Sequence, residues 1–264
     1  LTGLGLMGYD LALTRQIRHG ITGSKFDVME ESGSQPVRDL SAVRQIIEGS
    51  KLSPSVAASS LQVFERLARA EGSVHGEPPE QVHFHELSAI DSLVDIVGFC
   101  CALERLEVEQ VYCSPLPLGN GTIMTQHGLL PVPAPATLAL LAEAQAPVRP
   151  TEAQGELLTP TGAALITTFA TFATPAMRIQ QVGYGFGSKE FPWANMLRVW
   201  IGEKSPEAAR IAPHSYAPYE HDQHEQHDHD DAHGHEHSHN HDAGHHEHSH
   251  SHDHDHTHHH YEEH

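Results

Sequence analysis

The fold class this sequence predicts is an α/β (or α+β) globular domain over residues 1–204, followed by a disordered His-rich tail over residues 205–264. Two observations carry that reading. Strand-like and helix-like segments alternate through the first 204 residues, which points to mixed layers of secondary structure rather than to one type alone. Beyond them the periodicity stops and the composition changes. The last 60 residues hold 21 of the 26 histidines, 14 carboxylates and one Arg, whereas the first 204 hold 14 Lys and Arg against 21 carboxylates. The domain thus has a net charge of minus 7 and the tail minus 13.

Element by element, residues 9–18 and 21–29 alternate apolar and polar side chains on either side of His19-Gly20, a turn signal, and read as a β-hairpin. Residues 39–48 and 55–71 place apolar side chains at helical spacing, among them Leu61, Phe64, Leu67 and Ala68 in the second, and Pro54 suits a first-turn position. Residues 82–85 read as a short strand, 89–106 as a long apolar helix and 111–114 as another short strand. The stretch "SPLPLGNGTIMTQHGLLPVPAPAT" reads as a long functional loop. In it Gly119 and Gly121 permit positive φ or close approach of a ligand, and Pro131, Pro133 and Pro135 stiffen the chain, the last beginning a helix. In "GELLTPTGAALITTFA", Thr159 reads as an N-cap with Pro160 at the first helical position. Capping accounts for that pattern, and the free amides around Thr159, Thr161 and Gly162 are also a candidate seat for a phosphate.

The negative charge argues against nucleic acid or an anionic membrane as partner and favours a cationic ligand. No apolar window of about 18 residues predicts a membrane span, and no signal-peptide pattern opens the chain. Three cysteines, Cys100, Cys101 and Cys113, make neither a disulfide framework nor a CxxC pair, so a reducing, cytoplasmic setting is expected. The chain opens on Leu1 within strand-like sequence, from which a missing native N-terminal piece is expected.

The candidate chemistry concentrates in "VHFHELSAIDSLVDIVGF". His83 and His85 are two apart, on one face of a strand, a spacing that suits two ligands to one metal and equally two hydrogen bonds to backbone. Glu86 follows where the chain turns into the helix. Ser88 and Asp91 fit a capping box, and Asp91 is also a candidate metal ligand. Asp95 lies one turn further along the same face, between apolar neighbours. A carboxylate there needs a partner, because a buried unpaired charge costs several kcal/mol. His127, in the long loop, is a candidate third imidazole or general acid/base, and with Asp95 forms the expected catalytic pair.

The tail has no apolar face with which to offset the entropy of folding, so it is expected to stay disordered. Its histidines, among them His227, His229, His233, His235, His237, His239 and His241, alternate with Asp, Glu, Ser and Asn, unlike the uninterrupted block of a purification tag. Dense neutral imidazole is a multisite trap for nickel, zinc, copper or cobalt ions. The other reading is a solvated linker whose histidines are incidental.

Four motifs in order, "VHFHELSAIDSLVDIVG", "LPLGNGTIMTQHGLLPVPAPAT", "LLTPTGAAL" and "GYGFGSKEFPWANMLRV", resemble the LarC family of nickel insertion proteins. The resemblance runs from about Gly5 to Glu203. It implies insertion of nickel into pyridinium-3,5-bisthiocarboxylic acid mononucleotide, with formation of nickel–carbon and nickel–sulfur bonds, to complete the nickel-pincer cofactor of lactate racemase. It also implies CTP, with Mg(2+) or Mn(2+), hydrolysed in support. Family members open with a segment like "DCFSGISGDM" and continue past a His-rich stretch into a second domain with an "ETNIDDMTPE"-like motif. Neither occurs here, so the expectation is a fragment, or one half of a product completed by a separate second-domain chain or by frameshifting, that binds nickel and lacks the CTP-driven step. The lactate racemase apoprotein is the other partner implied. The runner-up reading is a nickel or zinc storage protein or metallochaperone without chemistry of its own. A nickel-delivery GTPase is rejected, because "GITGSKF" lacks the GxxxxGK[ST] spacing.

Overall fold

The structure, a computed structural model, describes residues 1–30, 38–82 and 90–205. The chain divides into two units, Leu1–Pro213 and His214–His264; the fold below is that of the first. The predicted strand over residues 82–85 falls largely outside the described residues.

The N-terminal hairpin forms as expected, from β1 (Tyr9–Arg18) and β2 (Ile21–Glu30), in antiparallel register from Tyr9 opposite Glu30 to Arg18 opposite Ile21. Its two-residue turn has positive φ at both positions, 48° at His19 and 77° at Gly20, the backbone twist that matches the twist of the flanking strands. Five helices follow among the described residues: α1 (Leu40–Glu48), α2 (Pro54–His75), α3 (Ile90–Arg105), α4 (Pro135–Glu143) and α5 (Pro160–Phe169). Their starts are set locally. Asp39 accepts a hydrogen bond from the Ala42 N–H, Ser53 from Val56 and Thr159 from Gly162, and proline opens α2, α4 and α5. Gly76, at φ 71°, ends α2 in the left-handed conformation that glycine adopts without a Cβ clash.

Helix α2 is the hub, packing against each of the other four. Phe64 and Leu67 on α2, Ile47 on α1, Leu93 and Ile96 on α3 and Leu140 on α4 are wholly buried together, and Ala163 and Ala164 on α5 let that helix approach closely.

The stretch read as a long loop is instead mostly strand: β4 (Leu116–Asn120), β5 (Thr122–Thr125) and β6 (Gly128–Pro131), after β3 (Val111–Cys113). Its glycines and prolines suggested a loop, but the backbone pairs with distant chain. β4 lies parallel to β7 (Val148–Gln154), β3 parallel to β8 (Ala170–Phe172), and β5 and β6 form their own hairpin. Two long strands, β9 (Met177–Phe186) and β10 (Leu197–Lys204), complete a four-stranded sheet in the order β1-β2-β9-β10. One face of that sheet is apolar and open: Leu13, Ile17 and Leu197 are 72%, 71% and 67% exposed. The architecture is α/β, with the helices collected around α2 and parallel pairs drawing together segments far apart in sequence.

Candidate functional site

Asp91 and Asp95 stand in the first turns of α3, one turn apart on one face. Asp91 accepts the Ser92 N–H at 2.6 Å, a local bond that orients its carboxylate near the helix start. The Ile90 N–H is taken by Glu30 Oε1 at 2.9 Å, so the end of β2 satisfies the opening of α3. Both aspartates are exposed by surface area, yet protein crowds Asp95 enough to raise its carboxyl above the ordinary range; the nearby charge of Asp91 adds to the rise, and Lys25 opposes it. Exposure removes the need for a buried partner, and Lys25 reaches Asp95 only through its charge. It projects from β2, which packs against α3, is 8% exposed, and forms an ion pair with Asp27. The charge of Lys25 is thus shared between an ion pair with Asp27 and a weaker influence on Asp95.

His83, His85 and Glu86 lie outside the described residues, as do His227, His229, His233, His235, His237, His239 and His241. Among the described residues, no three His, Cys, Asp or Glu side chains are arranged to hold a metal ion. The three cysteines are free thiols, and burial pushes those of Cys100 and Cys113 up, away from the thiolate form that ligates metal.

His127 sits in the β5–β6 turn, where its N–H donates to Thr125 Oγ1 at 3.0 Å. Its ring lies against that of His75, at the end of α2, with centroids 4.8 Å apart. Glu71, one turn earlier on α2, lies 3.6 Å from His75 Nε2. Sequence reasoning missed His75. The available signal was its i, i+4 spacing from Glu71 on a helix.

The glycines expected to hold a cofactor have packing reasons for being glycine. A Cβ at Gly119 would collide with the Gly155 carbonyl, and Gly121 has φ 88°. Gly155, at φ 108°, holds a backbone conformation that L side chains rarely adopt, and a Cβ there would meet the end of the flexible Lys189 side chain. Lys189, from the segment between β9 and β10, thus ends beside Gly155, the residue after β7. At α5, Thr159 Oγ1 takes the Gly162 N–H at 3.2 Å, and Pro160 has none to give. Capping thereby uses one of the amides considered for a phosphate; Thr161 lies in the first turn beside it.

No helix among the described residues is long and apolar enough to cross a membrane. The family model described as nickel insertion protein matches residues 1–242. A relative from Thermomicrobium roseum, provisionally named as a nickel insertion protein, is 49% identical over 210 residues, covering 80% of this chain and 52% of its own length. A like-named relative from Roseiflexus castenholzii is 45% identical over 207 residues, 78% of this chain and 52% of its own, and one from Dictyoglomus thermophilum is 40% identical over 205 residues, 77% and 52%. The chain spans about half the length of the curated relatives it matches. No solved structure gives a significant match.

Proposed function

Because the chain belongs to the nickel insertion protein family, we infer that it inserts nickel into pyridinium-3,5-bisthiocarboxylic acid mononucleotide, maturing the nickel-pincer cofactor of lactate racemase. The observation that carries this reading is the family match over residues 1–242, spanning the folded domain and the start of its histidine-dense segment. The tail gathers nickel on neutral imidazoles and raises its local concentration beside the domain. His83, His85 and Glu86 lead in sequence directly into the α3 start, where Asp91 and Asp95 supply hard anionic ligands to a cation in transit. Formation of a nickel–carbon bond at the ring releases the proton of that carbon. Asp95, whose raised pKa fits it to accept a proton, is assigned that role, with His127 as the other acid/base group. CTP, with Mg(2+) or Mn(2+), serves a step housed in the remainder of the relatives' length.

The test is to incubate the chain with nickel and the precursor nucleotide, with and without CTP, both alone and with the remaining half of the Thermomicrobium roseum relative. Mass spectrometry then looks for the nickel adduct. Adduct that appears with CTP and is lost in D95N supports the reading. Nickel bound in every arm with adduct in none overturns it in favour of metal storage or delivery, the second reading, which the concentration of 21 histidines in the last 60 residues favours.

A further inference from the structure

Between the β1–β2 turn and the segment joining β9 to β10 lies a cavity of about 210 Å³, walled by Arg18, His19, Lys189, Phe191, Trp193 and Asn195. Contacts distant in sequence hold two sides of it. His19 Nε2 lies 3.0 Å from the Phe191 carbonyl, tying the hairpin turn to the far segment across 172 residues of sequence. Arg18 donates to the Gly187 carbonyl at 2.9 Å, lies 5.1 Å from the centroid of the Phe186 ring, and meets Glu190 at 3.6 Å. Phe186 itself packs onto Gly23, where any Cβ would strike its ring. Arg18 is thus committed to building the wall.

The remaining groups line the open part of the cavity with aromatic, cationic and amide surface. Phe191 is buried and its ring lies 4.9 Å from that of Trp193, centroid to centroid; Trp193 is 46% exposed. A half-exposed indole backed by a buried ring offers a rigid π-surface on which a planar ring can stack. Lys189 stands 5.8 Å from the Phe191 centroid, with its ammonium beside Gly155. With Arg18 and Lys189 against the single carboxylate Glu190, the cavity is net positive in a domain whose first 204 residues carry minus 7. A positive pocket on a negative domain selects anions by charge. Asn195 adds an amide that can both donate and accept.

We propose that this cavity binds an aromatic mononucleotide, its ring stacked on Trp193 and its phosphate against Lys189. The proposal rests on the reading of the protein as acting on a pyridinium nucleotide, and it gives that substrate a seat away from the α3 carboxylates, which would repel its anionic groups. It also gives a reason for a glycine at position 155: without a Cβ there, the ammonium that delivers the charge has room beside the end of β7.

The experiment is isothermal calorimetry on the full chain with nicotinic acid mononucleotide as probe, and nicotinic acid riboside as the ligand lacking phosphate. Saturable binding of the mononucleotide is expected, weakened at least tenfold by removal of the phosphate, by K189Q and by W193L. No binding of the mononucleotide, or unchanged affinity in both variants, overturns the proposal. Circular dichroism checks each variant; if K189Q disturbs the fold through Gly155, W193L, at a half-exposed position, carries the test. Failure here is separable from failure of the insertion reading. Tenfold weaker binding in the variants without any nickel adduct in the insertion assay would leave the cavity and remove the reaction, whereas full adduct yield in both variants would leave the reaction and remove the cavity.

Discussion

Asp95 shows how one residue's chemistry is set by surroundings that its own neighbourhood in sequence does not fully reveal. The carboxyl of Asp95 is raised above its ordinary value of 3.8 by crowding and by Asp91, so the folded chain holds the Asp95 proton more tightly than the unfolded chain does. Stability should therefore fall as pH rises from about the ordinary carboxylate value through the raised one, and remain lower above it. D95N removes that titration. Melting curves between pH 3.5 and 7, with no metal added, are expected to show the gap between D95N and wild type shifting in favour of D95N as pH rises; a gap independent of pH would contradict the assignment. Removing the opposing charge with K25M should move the Asp95 titration higher still, and D91N should move it lower, both readable by carbon NMR of the carboxyl. The sequence identified Asp95 as a carboxylate in need of a partner, because its flanking residues are apolar, but named none. The ammonium comes from a strand about 70 residues earlier, brought there by the packing of β2 on α3.

At the scale of elements, the helix starts were legible because capping is a bond across three residues. Thr159→Ala removes the acceptor of the Gly162 N–H and is expected to cost about 1 kcal/mol, measured by denaturant unfolding. If the α5 start also holds phosphate, T159A should leave phosphate affinity unchanged or raised, since it frees an amide. The β4 strand was not legible. Gly119 suggested a ligand approach, yet what approaches is the Gly155 carbonyl, on a segment whose pairing with β4 is parallel and non-local. Gly155→Ala, at φ 108° and against the Lys189 ammonium, is expected to cost about 1–3 kcal/mol from backbone strain alone. A cost below that of T159A in the same unfolding series would show that the backbone at Gly155 is free to relax. The histidine pair at His75 and His127 was half legible: His127 was singled out for its place in a conspicuous stretch, while His75 passed as the end of a helix.

Across the whole molecule, charge and histidine are segregated, and that segregation predicts metal behaviour. Titrating nickel into the full chain and into a chain ending at Glu203 should give a larger stoichiometry for the full chain, and equal stoichiometries would remove the tail from nickel handling. Tail-bound nickel should be released as pH falls below about 6, because imidazole must be neutral to ligate. What the sequence by itself determined is what short-range physics and composition encode: the hairpin with its His19-Gly20 turn, the capped helices, the family to which the chain belongs and the contrast between an amphipathic domain and a polar tail. Only the tertiary structure decided the parallel pairs, the approach of the Lys25 charge to Asp95, and the cavity in which Arg18 meets Gly187 across 169 residues. Caps and tight turns close over two to four residues and leave a local pattern. Parallel strands, and hydrogen bonds such as that of Arg18 to Gly187, join segments whose separation in the chain says nothing of their separation in space, so they leave no local pattern to read.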